Sequence, residues 1–343
     1  MKHQTNTRVL WGLAVVFVFL SSVLVMSGCI GQEEEEEYDA KIAVVFATGG
    51  LGDKSFNDAA FRGLQWANET YNLKIDYVEP FEIADYEGYQ KGYAEDGTYD
   101  LIIGIGFDQA DPMNATAMQY PNQKFAIVDM VVFPALEENT IRSIIFREHE
   151  GSALVGAAAA FVTKTNKIGF IGGMDIWLIQ KFLWGYRYGA EYINPNIEVI
   201  SSFVGDWADV PKGKTLAEQM LATDVDVIYA AAGRSGIGAW DAVDETTDAL
   251  SIGVDSDVCL QGYKRMLCSM LKMVDVAVNK TISDIVEGTF TAGIWELGMA
   301  ENGVGIGISN CVQFLTADQI AQIETLRDAI AQGTVEVPVP PTE

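Results

Sequence analysis

The chain has 343 residues and a formal net charge of −26, from 22 Lys and Arg against 48 Asp and Glu. That length exceeds one compact α/β unit and suits two lobes, and the charge excludes a nucleic-acid binder, because a phosphate backbone would be repelled. Two histidines, His3 and His149, exclude a His-rich zinc or iron site and leave at most one imidazole for a Ser/His or Cys/His pair.

The first thirty residues describe an exported protein. Lys2 and Arg8 precede an apolar run from Val9 to Met26, followed by Ser27, Gly28 and Cys29. A positive flank, an apolar stretch and small residues before a cleavage point make a secretory signal. A run of this length also competes as a membrane anchor. Met26-Ser27-Gly28-Cys29 resembles a lipobox, in which the Cys is acylated and becomes the mature N-terminus. Cleavage there removes residues 1–28 and two positive charges, so the mature net charge is −28. Five consecutive glutamates, Glu33 to Glu37, repel one another and read as a solvated tether over residues 29–40. Three cysteines remain: Cys259, Cys268 and Cys311. Outside the cytoplasm a disulfide is permitted, and Cys259 with Cys268 is the pair near enough for a local loop closure. Three buried thiols are the alternative. No CxxC pair points to a zinc site or a thioredoxin-type site.

From Lys41 onward the chain alternates strands and helices. Residues 41–46 form a buried β-branched run ending at Thr48-Gly49-Gly50, a strand feeding a tight turn. A helix carries Phe61, Leu64, Ala67 and Tyr71 on one face, with Asn57 or Asp58 as its cap. Further strands are expected at 74–78, 101–106, 124–129 and 141–146, with a helix bearing Tyr86, Tyr89 and Tyr93 between the first two. An Ala-rich helix spans about 150–162. The same alternation then repeats. Strands are expected at 167–172, 197–204, 225–231 and 251–255. The helices run through Phe182 and Tyr186, over 212–221, and through Trp240 and Val243. A last helix covers 318–331. Such alternation gives a parallel sheet with helices on both faces, and two successive sets give two doubly wound lobes.

Ligands of open α/β sheets bind beyond the carboxyl ends of the strands. There stand Asp53, Phe56 and Asn57, then Phe107 and Asp108, then Asp129, and in the second half Gly172 to Met174, Gly233 and Asp255. Aromatic faces stack on a flat heterocycle and carboxylates accept hydrogen bonds from hydroxyl or ring N–H donors. The glycines at 104, 106, 233, 236 and 238 lack the spacing of a dinucleotide fingerprint, and no P-loop is present. They read as tight turns near the cleft.

Several stretches together resemble one family. They are Gly52-Asp-Lys-Ser-Phe-Asn57, Ile105-Gly-Phe107, residues 146–160, Ile168-Gly-Phe-Ile-Gly-Gly-Met174, Ala232-Gly233, Ile252-Gly-Val-Asp255 and Ser269-Met-Leu-Lys272. In this order they are similar to the basic membrane protein family, whose best understood members resemble purine nucleoside receptor A lipoproteins. The resemblance implies a type I periplasmic-binding fold and a substrate-binding lipoprotein of an ABC importer, lipidated at Cys29. Such a protein is a monomer that binds a nucleoside, purine first, and delivers it to permease subunits. It carries no cofactor or metal and no catalytic residue.

The resemblance also implies residue roles. Phe56 and Phe182 stack on the two faces of the base, while Asn57 and Asp129 bond its edge. Asp255 and Lys272 hold the ribose hydroxyls beside the Gly233 backbone, and Asp53 and Phe107 face the cleft. Departures at Trp177, Arg234-Ser235 and the 205–212 segment, with Trp184 and Trp207, leave the exact ligand open. The lobes are expected at 41–147 with 273–308 and at 148–272 with 309–343, the chain crossing near Phe146, Lys272 and Ser309. A binding protein for a sugar, autoinducer or peptide, and an exported nucleoside hydrolase, are the alternatives.

Overall fold

The computed structural model describes residues 37–133, 140–311 and 313–341. The signal segment, Cys29 and the glutamates before Glu37 lie outside the described residues. Asp39 onward forms one compact unit, and no helix among the described residues is long and apolar enough to cross a membrane.

The first lobe begins with β1 (Ala40–Val45), α1 (Phe56–Thr70), β2 (Leu73–Val78), α2 (Tyr86–Asp96), β3 (Leu101–Ile105), α3 (Ala110–Gln119), β4 (Phe125–Val128) and β5 (Ile141–Phe146). The second runs through α4 (Glu148–Val162), β6 (Lys167–Gly172), α5 (Trp177–Ile193), β7 (Glu198–Phe203), α6 (Val210–Leu221), β8 (Val227–Ala231), α7 (Ser235–Asp244), β9 (Leu250–Asp255) and β10 (Met266–Lys272). Then α8 (Val274–Val286) and β11 (Gly293–Leu297) return to the first lobe. The chain ends in the second with β12 (Val304–Gly307) and α9 (Ala317–Ala331).

Each lobe is built on a six-stranded sheet, in the orders β11-β5-β4-β3-β1-β2 and β12-β10-β9-β8-β6-β7. The two orders match position for position, so β4 and β9 are equivalent strands. All pairings are parallel except β10 with β12 at one edge. The central strands are buried along their whole length, as β3, β4, β8 and β9 show, because helices cover both faces. That burial is what their largely apolar composition records.

Two helix contacts set the lobe geometry. On α4 and α5, glycines let backbones touch: a Cβ on Gly189 would sit 1.8 Å from the Ala153 carbonyl oxygen, and one on Gly156 would sit 2.0 Å from that of Tyr186. Gly63 on α1 likewise admits α8, where a Cβ would meet the Asp275 carbonyl oxygen at 2.5 Å.

Three expectations are corrected. The third passage between lobes falls between Leu297 and Val304, not near Ser309, because Val304 to Gly307 pair with β10 in the second sheet. The disulfide joins Cys259 to Cys311, with Cα atoms 4.8 Å apart, and Cys268 is a buried free thiol on β10. A 52-residue separation hides that pair from any reading of local spacing. Neither Asn57 nor Asp58 caps α1. Its cap position is Ser55, and the Asp53 carboxylate accepts from the backbone N–H groups of Ser55 (2.9 Å), Asn57 (2.8 Å) and Asp58 (3.2 Å). One carboxylate thus satisfies donors a helix start leaves orphaned.

Candidate functional site

The strand ends of the two sheets face one cavity. Asp53, Phe56, Asn57, Phe107 and Asp129 line it from the first lobe, and Phe182, Gly233, Asp255 and Lys272 from the second. The nine residues singled out in the sequence therefore share one site. Tyr86, from the expected Tyr86/Tyr89/Tyr93 face, lies behind it and accepts a hydrogen bond from the Thr48 N–H at 2.9 Å, while Tyr89 is exposed.

The two strand-end aspartates occupy equivalent places. Asp129 follows β4 and Asp255 ends β9, and both backbones are left-handed, with φ of +78° and +61°. A non-glycine residue holds that conformation at a cost of roughly 1–3 kcal/mol and only where its surroundings impose it. Here it turns the carboxylates of both lobes into the cleft. Gly106 and Gly233, after the equivalent strands β3 and β8, also have positive φ, where a side chain would be strained.

Lys272 is the electrostatic centre. Its Nζ lies 2.6 and 2.7 Å from the two oxygens of Asp129 across the cleft, and 3.1 Å from Glu148. Glu148 is fully buried and also pairs with Lys181, whose Nζ donates to the Phe146 carbonyl at 2.7 Å. Three phenylalanine rings surround the ammonium: Phe56 at 5.2 Å, Phe146 at 5.1 Å and Phe182 at 5.6 Å from Nζ to centroid, within cation–π range.

Burial sets the proton affinities. It pushes Asp129 up to about 6, with Lys272 pulling back and Glu148 adding to the rise. Burial raises Asp255 to about 6 against the opposing pull of Lys272 and Ser55. Asp53 rises to about 6 by burial against its backbone donors, and Asp108 rises to about 6 by burial. Burial alone would lower Lys272, but Asp129, Glu148 and Asp255 outweigh it and hold the ammonium above the ordinary lysine range. For Glu148 burial raises, and the two lysines prevail and lower it. At neutral pH the cluster is therefore ionised and internally paired.

The remaining polar atoms are mostly committed. Asn57 Oδ1 accepts from the Ala47 N–H at 3.0 Å, and its Nδ2 donates to Asp53 at 3.1 Å. The Ser55 hydroxyl donates to Asp255 from the opposite lobe. Ser55 with Asp255 and Asp129 with Lys272 are thus direct contacts between the lobes, and Ser256 adds others by donating to the Ser55 carbonyl at 3.2 Å and accepting from Arg62 at 3.0 Å.

Of the other cavity walls, Trp207 stands among the departures noted in the sequence, and Leu178 and Ile179 escaped the sequence reading. Leu178 and Ile179, from the first turn of α5, line the cavity beside Phe182, while Tyr186 one turn on is core. Trp207 lies against Gly173, where a Cβ would come within 2.2 Å of the indole, and meets the Phe107 ring edge-on with centroids 6.4 Å apart. Glu148 had no signal: a buried glutamate is recognisable only from the cations beside it. Trp177 stands apart from the cavity, half exposed at 48%.

The comparisons agree with this architecture. Residues 40–339 match the family model described as ABC transporter substrate-binding protein, PnrA-like. The ABC transporter nucleoside-binding protein BmpA of Lactococcus lactis subsp. cremoris is 33% identical, over 95% of this chain and 98% of that one. An uncharacterised lipoprotein of Pyrococcus abyssi is 34% identical, over 91% and 84%. A solved ABC transporter solute-binding protein from Aeropyrum pernix superposes with a TM-score of 0.81 at 31% identity, over 88% of this chain and 94% of that one. Two matched lobes with their strand-end residues gathered on a single cleft, together with this likeness along the chain, place the protein in the family of PnrA-like ABC transporter substrate-binding proteins.

Proposed function

We propose that the protein is the extracytoplasmic receptor of an ABC importer for nucleosides, purine first, lipid-anchored through Cys29 and without catalytic activity of its own. The observation that carries this reading is the pairing of walls. Phe56 and Phe182 come from opposite lobes to one cavity that also holds the strand-end carboxylates Asp129 and Asp255. A base stacks between aromatic faces and presents N–H donors at its edge, and a ribose presents hydroxyl donors. The acidic cleft favours a neutral nucleoside over a nucleotide. The name of the Lactococcus lactis relative, a nucleoside-binding protein, supports the same class.

The mechanism is hinge closure. A ligand bridging Asp129 and Asp255 contacts both lobes, and so favours the closed state and presents a closed receptor to the permease. Isothermal calorimetry with purine nucleosides, pyrimidine nucleosides, free bases and monosaccharides tests the class. Micromolar or tighter binding of nucleosides is expected. Binding of a sugar with no response to any nucleoside removes the reading. Palmitate labelling of cells expressing the chain is expected to mark it, and Cys29→Ala is expected to lose both the label and the membrane fraction.

A further inference from the structure

Beyond Asp129 the cleft does not end. Phe107, Asp129 and Leu178 each have a second side, facing another cavity of about 520 Å³. Its other walls come from both lobes and are largely apolar: Met130, Val131 and Ile145 from the first, Ile176 and Trp177 from the second. Met130 and Trp177 leave large apolar surfaces exposed at its rim, at 43% and 48%. Adjacent exposed apolar surface of this kind on a soluble domain marks a contact site.

We propose that the receptor takes nucleosides whose base carries an uncharged, largely apolar substituent, the substituent lying in this second compartment. The inference rests on the nucleoside reading above. It follows from the shared wall, since a base edge held at Asp129 points any group on that edge past Phe107 and Leu178.

The charges around the compartment are already paired. Lys181 pairs with Glu148, Asp129 with Lys272, and Glu296 with Arg147 at 2.9 Å. A charged substituent gains no counterion there, and an apolar one removes wall area from water at roughly 25 cal/mol per Å². One polar atom is left over. His149 lines the compartment, and its Nδ1 is buried with no hydrogen-bond partner among the described residues. Burial and the neighbouring Lys181 lower its proton affinity to about 4, so the ring is neutral and adds no charge to the compartment.

Calorimetry on the full chain in detergent tests the inference, with adenosine against N6-benzyladenosine and guanosine against N2-benzylguanosine. At least one derivative is expected to bind within about threefold of its parent or tighter. Trp177→Ala, at an exposed position that leaves folding intact, is expected to weaken that derivative about tenfold, ~1.4 kcal/mol, and to leave the parent within twofold. Derivatives all more than about threefold weaker than their parents overturn the inference while the nucleoside reading stands. Equal effects of Trp177→Ala on parent and derivative overturn it too. Failure of every parent and derivative to bind removes the nucleoside reading and this inference together.

Discussion

Lys272 donates to Asp129 Oδ2 at 2.7 Å across the cleft and sits 2.6 Å from Oδ1 in the same ion pair. A lysine at the end of a second-lobe strand is thereby tied to an aspartate at the end of a first-lobe strand, inside a ring of phenylalanines and 2% exposed. A buried pair of this kind adds little net stability, since desolvation offsets the attraction, but removing one partner strands the other. Lys272→Met is therefore expected to destabilise the unliganded protein by about 3–5 kcal/mol. The double variant Lys272→Met, Asp129→Asn is expected to recover a large part of that loss, read as a coupling energy in urea unfolding. Strict additivity of the two single variants contradicts the pairing.

Asp255 accepts a hydrogen bond from the Ser55 hydroxyl of the opposite lobe. In the proposed complex its carboxylate accepts from the ribose. A hydrogen bond to a charged group contributes ~1.5–3 kcal/mol, so Asp255→Ala is expected to weaken nucleosides by roughly 10- to 100-fold and the corresponding free bases far less. Calorimetry with the matched pair decides. Equal losses for nucleoside and base rule out the ribose role.

The raised aspartates predict a pH dependence of stability. Asp53, Asp108, Asp129 and Asp255 each rise from 3.8 to about 6 in the fold, so between these values the folded state binds more protons than the unfolded chain. Stability then increases as pH falls from about 6 toward 4. His149 opposes this, because its affinity drops from 6.5 to about 4 and its contribution is lost as pH falls. Glu148, lowered in the fold, contributes a loss only below its ordinary value of 4.5. Burial raises Glu150 as well, so with five groups against one above that value the melting temperature of the unliganded protein is expected to be higher at pH 5 than at pH 7. Asp255→Asn is expected to narrow the gap. An unchanged gap in that variant argues against Asp255 as one of the titrating groups.

Helix packing supplies a fourth test. Gly189 on α5 lies where a Cβ would stand 1.8 Å from the Ala153 carbonyl oxygen of α4, a backbone contact with no flexible side chain to yield. Overpacking of this sort costs typically about 1–3 kcal/mol, so Gly189→Ala is expected to lower stability by at least that much. Gly88→Ala on α2, with nothing within 4 Å of the added methyl, is the control and is expected to be neutral or stabilising. Similar effects for both in thermal unfolding contradict the close approach.

The Cys259–Cys311 bridge closes a 52-residue separation. Removing loop-closure constraint from the unfolded chain typically costs about 2–4 kcal/mol, and Cys259→Ser with Cys311→Ser is expected to lose that amount. Mass spectrometry after alkylation of the native protein is expected to find Cys268 unmodified until the protein unfolds, because it is buried on β10. Recovery of a Cys259–Cys268 peptide instead contradicts the pairing.

Much of the site was legible because strand ends carry their own marks. Asp129, Asp255 and Gly233 each stand where an apolar β-branched run stops, and that stop is a local event in the sequence. The helix start after Gly52 was equally visible, although the roles within it were exchanged: Asp53 caps the helix, and Asn57 holds the preceding turn through Ala47. β11, β12 and α8 did not stand out as separate elements. β11 and β12 are short, four or five residues each, and an edge strand exposed on one side lacks the continuous apolar run of a buried one.

The sequence by itself determined the alternation of strands and helices, the two-lobe class and the identity of the residues at the strand ends. All of these follow from periodicity and from local breaks in it. Only the tertiary structure decided which charges neutralise one another, which cysteines pair, where the chain last crosses between lobes, and that a second compartment opens beyond Asp129. Each of those depends on contacts between residues far apart in the chain: 143 positions separate Lys272 from Asp129, and 200 separate Ser55 from Asp255. Partnership at such range is set by how the two sheets face each other, and no local pattern of side chains records that.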